Sequence, residues 1–469
     1  MRLSPLRSAA IIALGWLLAS PLIASEALAA DERWNVVIIT ADTLRGDMLE
    51  LNGNTTVQTP RLNELALEGV NFSRAYTSIT TTLPAHASLF SSLYAQDHRV
   101  WDNWHRIPNR VTTLFEILQG EGWRTAAHIN MPWLTREVSN IPQGVEIMRG
   151  GERFRKAERT NRWVMSWLEQ QPEQEDPFFL WIHYIDNHTP YHAPEDFGDL
   201  YFEGGPGGEG ATPLQPLWRL FPADHQDSEQ FHDWLDPVKS AEYVVGSYEG
   251  SVTWVDQHVG EVMDQLCELG LWENTLFVFT ADHGESLGEH ELWFVHAGLF
   301  EPTVHIPLII RVPGGDGGLK HDEVVSIVDI MPTVLSYLDL PSPEGTRGQD
   351  LRPLMEGGSG DDLSGAALFE HIGRQLEGVV TDRYKYIRHR DSNRIYRGYP
   401  MREGTVEVYD LLQDPGEEYN LAPEHPELVD RLELVFGELL QKELDYGSSE
   451  ASELDAFTLE SLKALGYVQ

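Results

Sequence analysis

Two apolar runs that end in the same way constrain the fold more than anything else in the chain. In "WNVVIITADTLRGD" the run Val36 to Ile39 leads to Asp42, and in "NTLFVFTADHGE" Leu276 to Phe279 leads into Asp282 and His283. Short β-rich runs without polar alternation predict strands covered on both faces, as in a parallel sheet. A third run, "PFFLWIHYIDNH", predicts a strand from Phe178 to Tyr184 that ends in Asp186 and His188. Between them, Ala241 to Leu269 carries Val245, Tyr248, Val252, Val255, Val259, Val262 and Leu266 at helical steps of three or four. Strand, polar ligand-type residue and helix, three times over, predict an α/β fold. Its core would be a doubly wound, mostly parallel sheet flanked by helices, with sites outside the carboxyl ends of the strands.

The flanking segments set the organisation. Arg2 and Arg7, an apolar run from Ala9 to Ala24 and the small-x-small step Ala27-Leu28-Ala29 read as a signal peptide over residues 1–30. The run is shorter than the roughly 20 residues a spanning helix needs, so we expect cleavage, no membrane span afterwards, and an exported protein, periplasmic or extracellular. The catalytic domain would cover 31–345. Within it, the Gly-rich and aromatic–acidic stretch 194–237 reads as a rim or lid. After a connection rich in Pro, Gly and Ser, "LEGVVTDRYKYIRHR" and "TVEVYDL" predict a smaller C-terminal antiparallel sheet, with a helix near Glu427 to Leu444, over 346–469. The single cysteine, Cys267, excludes an internal disulfide and is expected in the helix core. A formal charge of −40 repels nucleic acid and makes long acidic glycans poor partners, unless a local basic pocket overrides it.

Asp42, Asp282 and His283 offer two hard oxygen donors and an imidazole, a set that suits a divalent ion such as Mn²⁺, Zn²⁺, Mg²⁺ or Ca²⁺. Singly, each has a structural alternative: an Asp after a strand caps helices, and Asp-His-Gly forms turns. "TTTLPAHASL" places Thr82 two residues before Pro84, so Thr82 would sit at or near a helix N-cap. From there the helix would run through His86, Leu89 and Leu93. Backbone N–H groups at such a terminus would face an anion. A hydroxyl on a divalent ion can act as nucleophile, so Thr82 is a candidate both for ligand and for nucleophile.

These segments, together with "TPRLNELALEGVNFSRAYT", "FFLWIHYIDNHTPYHAP", "YEGSVTWVDQHVG", "VDIMPTVLSYLDLP" and "VYDLLQDPGEEYNLA", resemble the sulfatase family of the alkaline phosphatase superfamily in order and wording. The resemblance implies metal ligation by Asp42, Asp282, His283 and Thr82, with Thr82 as nucleophile. It implies that His188 assists the leaving group and that His296 contacts the transferred group. His86 stands at the position of the motif arginine, and Thr43 where many members have a second metal-binding Asp. Sulfatases oxidise a Cys or Ser to formylglycine, which a threonine cannot become, so no formylglycine is expected. Other branches use a threonine nucleophile on phosphoryl groups.

One divalent ion and a few histidines suit a monoanionic centre. The expectation is therefore a metal-dependent hydrolase with one ion (Mn, Zn or Ca), acting on a small-molecule, lipid or saccharide ester. A phosphodiester or phosphonate monoester is favoured over a sulfate ester. The alternatives are a sulfuric ester hydrolase using an unmodified hydroxyl, a phosphoryl transferase, and an inactive binding protein. Asp186 and His188 with His296 or His305 form the alternative set for a second ion.

Overall fold

The structure, a computed structural model, describes residues 33–151, 156–191, 194–221, 225–226, 228–392, 398–440 and 449–451; the expected signal peptide lies outside them. The apolar runs become the centre of an eight-stranded sheet. Its order is Leu319–His321, Val70–Phe72, Leu308–Arg311, Thr275–Ala281, Asn35–Ala41, Phe178–Tyr184, Arg124–Ile129 and Ile147–Gly150. Leu308–Arg311 runs antiparallel to both neighbours, and every other pairing is parallel. The three strands read from the sequence are the adjacent middle ones, and all of their residues are buried. Two helix groups flank the sheet. Pro60–Glu68, Ala157–Leu168 and Ala241–Glu268 pack together, as do Thr82–Ser91, Leu114–Gly120 and Ile330–Tyr337. The doubly wound, mostly parallel reading holds.

In the helix Ala241–Glu268 the buried stripe runs through Val244, Tyr248, Val252, Val255, Val259, Val262 and Leu266. Val245 is only half-buried, because Val244 takes the core position. Cys267 corrects an expectation: it is exposed, since it follows the inward-facing Leu266 by about 100° around the helix. The 194–237 stretch forms short helices at Glu195–Gly198, Leu214–Leu217 and Glu229–Leu235, the first of which packs on this long helix. Phe197 stacks edge-on to Trp254 with ring centroids 5.0 Å apart. Among the described residues no helix is long and apolar enough to cross a membrane.

The C-terminal sheet is an antiparallel meander of Ala366–Glu370, Leu376–Thr381, Tyr384–His389 and Val406–Asp410. The helix Pro426–Leu440 covers it with Leu428, Leu432 and Phe436. Two contacts tie this sheet to the strand end before Thr82: Thr80 N–H donates to Glu370 O at 3.2 Å, and Glu370 N–H donates to Ser78 O at 2.9 Å. A third tie is ionic. Lys385, without solvent exposure, holds Glu301 at 2.7 Å and Glu417 at 2.8 Å.

Replacing that lysine would leave the buried Glu417 and the partly exposed Glu301 without their cation. Lys385→Met should destabilise the protein by about 3–5 kcal/mol in chemical denaturation. Removing the solvent-exposed Arg162–Glu158 pair should change stability by less than about 0.5 kcal/mol.

Candidate active site

Sheet register brings the acids together. Ala41 lies opposite both Ala281 and Tyr184, so Asp42 and Asp282 leave neighbouring strands at the same level, both without solvent exposure. Asp282 Oδ1 accepts the N–H groups of Thr43 at 3.1 Å and His283 at 2.8 Å. Neither oxygen of Asp42, nor Oδ2 of Asp282, has a hydrogen-bond partner. Burial, followed by the repulsion of Asp282 and Glu285, holds the Asp42 carboxyl well above the usual range. His283 Nδ1–H donates to Gly284 O at 3.0 Å, which leaves the Nε2 lone pair facing the Thr82 hydroxyl at 3.4 Å. Ligand atoms from Asp42, Asp282 and His283 all lie within 4.8 Å of one another. Three buried carboxylate oxygens lacking donors, with an imidazole nitrogen in the same cluster, fit a divalent cation. Gly284 is required here: a Cβ would meet Pro302 O at 2.0 Å.

Thr82 is the first residue of the helix Thr82–Ser91, with Thr81 as N-cap. The helix stops at Ser91, short of Leu93, because Ser92 turns left-handed at φ 54°. Beyond the N–H of Thr82 itself, the first turn has no N–H on offer to an anion. Leu83 N–H donates to Asn103 Oδ1 at 2.8 Å, and Pro84 has no N–H. His86 faces inward, without solvent exposure. Its Nδ1–H donates to Thr82 O at 2.8 Å, and Nε2 accepts from Thr40 Oγ1 at 3.0 Å. It therefore fixes the backbone of Thr82. Burial lowers its pKa.

Two further histidines close the site. The ring of His296 lies 4.8 Å from that of His283 and 5.4 Å from that of His188. His188 Nδ1–H donates to Thr189 O at 2.7 Å. Burial lowers His188 to about 4. His296 keeps 17% of its side chain exposed, so the site opens beside it. The set considered for a second ion does not assemble. Asp186 accepts Ala157 N–H through both oxygens, at 3.1 and 3.0 Å, and Trp254 Nε1–H at 3.1 Å. His305 Nε2 is bound to Ser73 O at 2.9 Å. Thr43 contributes its N–H to Asp282, while its hydroxyl donates to Asn187 O at 2.6 Å.

Sequence reasoning missed three residues here. His183, the polar residue inside "FFLWIHY", has Nε2 3.9 Å from Asp42 Oδ2. Glu285 is fully buried, with Oε2 3.9 Å from His296 Nδ1; its place directly after Asp282-His283-Gly284 was an available signal. His371, on the C-terminal sheet, has Nδ1 2.8 Å from Thr80 Oγ1. No local pattern marks it.

The sulfatase family model matches residues 34–340, and that of the C-terminal region of N-sulphoglucosamine sulphohydrolase matches 288–442. The chain belongs to the sulfatase family. As a sulfatase-family hydrolase it acts on ester bonds. It is similar to an arylsulfatase of Clostridium perfringens, at 26% identity, with 88% of this chain and 94% of that one covered. Its fold is that of the phosphonate monoester hydrolase of Agrobacterium radiobacter, with TM-score 0.69, 21% identity, and 90% and 100% of the two chains covered. A structure solved with its substrate D-glucosamine-2-N,6-O-disulfate also shares the fold, with TM-score 0.68, 20% identity, and 89% and 100% covered.

In this sulfatase-family chain Asp186 is a buried helix cap. Burial raises it from 3.8 to about 7, against the hydrogen bonds it accepts. A raised acid contributes stability that is fully present below its unfolded pKa and is lost as pH rises through the folded one. Asn keeps the Oδ1 acceptor and does not titrate. The melting temperature of Asp186→Asn should therefore gain on that of the parent between pH 4 and pH 7 and then run level with it. A difference that stayed constant with pH would contradict this.

Proposed function

We propose that the protein is an exported, metal-dependent hydrolase that cleaves a monoanionic phospho- or sulfo-ester through a covalent Thr82 intermediate. The observation that carries this is the Thr82 hydroxyl, at the start of its helix and 3.4 Å from His283 Nε2, in a site where three of the four oxygens of Asp42 and Asp282 have no donor. A divalent ion held by Asp42, Asp282 and His283 would acidify a neighbouring hydroxyl and offset charge on the transferred group.

The residues then divide the work. Thr82 Oγ1 gives its proton to solvent water and attacks phosphorus or sulfur in line, opposite the leaving oxygen. His188 Nε2 gives that oxygen a proton; an anionic substrate favours the imidazolium form that burial opposes. Water then attacks the Thr82 ester, giving one proton to His188 Nε2; the acid is released and the Thr82 oxygen regains its proton from solvent. His296, at the open side, contacts the non-bridging oxygens, and His86 holds the Thr82 backbone.

The charge inventory supports a monoanion. His86, His183 and His188 are driven toward neutrality chiefly by burial. The nearby Arg45 is taken by Asp47 and Glu289, each at 2.7 Å. A dianionic phosphomonoester would find little to balance it, whereas a phosphodiester, phosphonate monoester or sulfate ester suits the site. The phosphonate hydrolase fold match and the family's sulfatases support the two arms of this class. The disulfated glucosamine relative supports extending the leaving group to a saccharide. An alcohol in place of the second-step water would make the protein a transferase. The assembled Asp42, Asp282 and His283 speak against a catalytically inactive binding protein.

Thr82→Ala should lower turnover of aryl phosphodiester, phosphonate and sulfate esters by roughly 10³-fold or more and abolish a phosphate or sulfate adduct seen at Thr82 by mass spectrometry. Full activity in this variant would overturn the nucleophile. His188→Ala should slow esters of poorly acidic alcohols by about 10²–10⁴-fold and esters of acidic phenols far less. Chelation should lower the melting temperature of the parent reversibly, and Asp42→Asn should remove that response.

A further inference from the structure

Between the short strand Ala75–Tyr76 and the helix that begins at Thr82, residues Thr77 to Thr81 belong to no regular element, yet all of them are buried. Buried backbone without a ladder of its own must find its hydrogen bonds elsewhere. Here the C-terminal sheet supplies them. Ile79 forms an isolated parallel bridge with Glu370. Glu370 N–H donates to Ser78 O at 2.9 Å, and Glu370 O accepts Thr80 N–H at 3.2 Å. The next residue, His371, places Nδ1 2.8 Å from Thr80 Oγ1, a pairing across 291 positions of sequence.

His371 is itself held in place. It opens the tight turn between Ala366–Glu370 and Leu376–Thr381, where its N–H donates to Leu376 O at 3.0 Å and its O accepts Arg374 N–H at 2.9 Å. Burial lowers His371 to about 4, with His283 adding to the effect, so the ring is neutral near pH 7. A neutral imidazole and a buried hydroxyl then share one directional bond in a medium of low dielectric.

Three side chains therefore grip the start of the helix. His86 takes Thr82 O, Asn103 takes Leu83 N–H, and His371 takes the hydroxyl of Thr80. One residue, Thr81 in extended backbone (φ −150°, ψ 130°), separates Thr80 from Thr82, so a displacement of Thr80 carries through to the Thr82 side chain. We propose that His371 is a positioning residue for the nucleophile: acting through Thr80, it sets where Thr82 Oγ1 stands against Asp42, Asp282 and His283. The C-terminal sheet is then part of the catalytic apparatus as well as of the fold. This rests on the reading of Thr82 as nucleophile.

The test is hydrolysis of an aryl phosphodiester by the full chain with Mn²⁺ present. His371→Phe and Thr80→Val each remove the bond while filling the space. A nucleophile misplaced by about 1 Å loses about 10²-fold in rate, so each variant should lose about that much kcat, with KM within about twofold of the parent. The double variant should lose no more than either single one, because both changes remove the same interaction. The amide of His371→Asn reaches the place of Nδ1 and should keep kcat within about fivefold; the longer His371→Gln should not. Thr80→Ser keeps the hydroxyl and should match the parent. The loss should be equal for esters of acidic and of poorly acidic alcohols, and the Thr82 adduct should form more slowly by the same factor in a single turnover. The shift of melting temperature on chelation should stay parental, since the three candidate ligands are untouched.

Parental kcat in Thr80→Val, losses that multiply in the double variant, or rescue by Gln instead of Asn would overturn the inference; the last would put Nε2 on the substrate. Where His371→Phe does not fold, the Thr80→Val and Thr80→Ser pair decides. An inactive Thr82→Ala beside a parental Thr80→Val would keep the nucleophile and reject the positioning role. Full activity of Thr82→Ala would reject both.

Discussion

Asp42 and Asp282 are pressed together at the ends of adjacent strands, out of contact with solvent, with three of their four oxygens lacking a donor. At an effective dielectric of about 20, two like charges about 4 Å apart repel by about 4 kcal/mol, and burying each ion costs several kcal/mol more. The N–H groups that Thr43 and His283 give to Asp282 return about 1–3 kcal/mol each. The pair is therefore balanced only by a bound proton or by a cation between the two groups. The surrounding chain is arranged around that deficit. Thr43 adopts a left-handed backbone (φ 55°), unfavourable for a β-branched residue, and from there points its N–H at Asp282. His283 turns its lone pair inward by donating Nδ1–H to Gly284 O.

Asp186 shows why the strand-then-acid pattern alone does not define a site. It leaves the strand next to Asp42 and has the same side-chain chemistry. Yet the first turn of the helix Ala157–Leu168 supplies an N–H, and Trp254 an indole N–H. With its oxygens satisfied, it has no use for a cation. Which acid becomes a ligand thus depends on whether a donor reaches it, and that donor comes from more than 25 residues away in sequence.

The same separation marks the limit of what could be read beforehand. The central strands, the long helix and the acids at the strand ends were legible because burial on both faces and helical periodicity are local signals. The separate antiparallel sheet was legible from its short alternating runs. His371 was not, because its approach to Thr80 depends on how Ala366–Glu370 bridges to Ile79. Nor was Asn103, which takes the Leu83 N–H and shifts the binding of an anion from backbone to side chains. Cys267 was misplaced by one helical step, since periodicity fixes the axis of an apolar stripe better than its edges.

The residues around Thr82 bear on whether threonine is a lost catalytic group or a fitted one. The resemblance sets His86 against the arginine of the family motif, and its ring is enclosed by Trp181 at 5.2 Å, His183 at 5.1 Å and Phe90 at 6.5 Å between centroids. Both ring nitrogens are used, one on Thr82 O and one on Thr40 Oγ1, and Thr40 in turn accepts Trp181 Nε1–H at 3.0 Å. A guanidinium in this pocket would bring five donors into a largely aromatic enclosure, where Asp282 Oδ2, 3.8 Å from His86 Nδ1, is also an oxygen of the candidate cation site. The imidazole satisfies the available acceptors without adding a permanent charge. Thr82 and His86 therefore form one internally consistent pair, in which the helix start is held by a neutral ring and the hydroxyl is left to face the acids. Such a pair supports the proposed chemistry at the unmodified Thr82 hydroxyl.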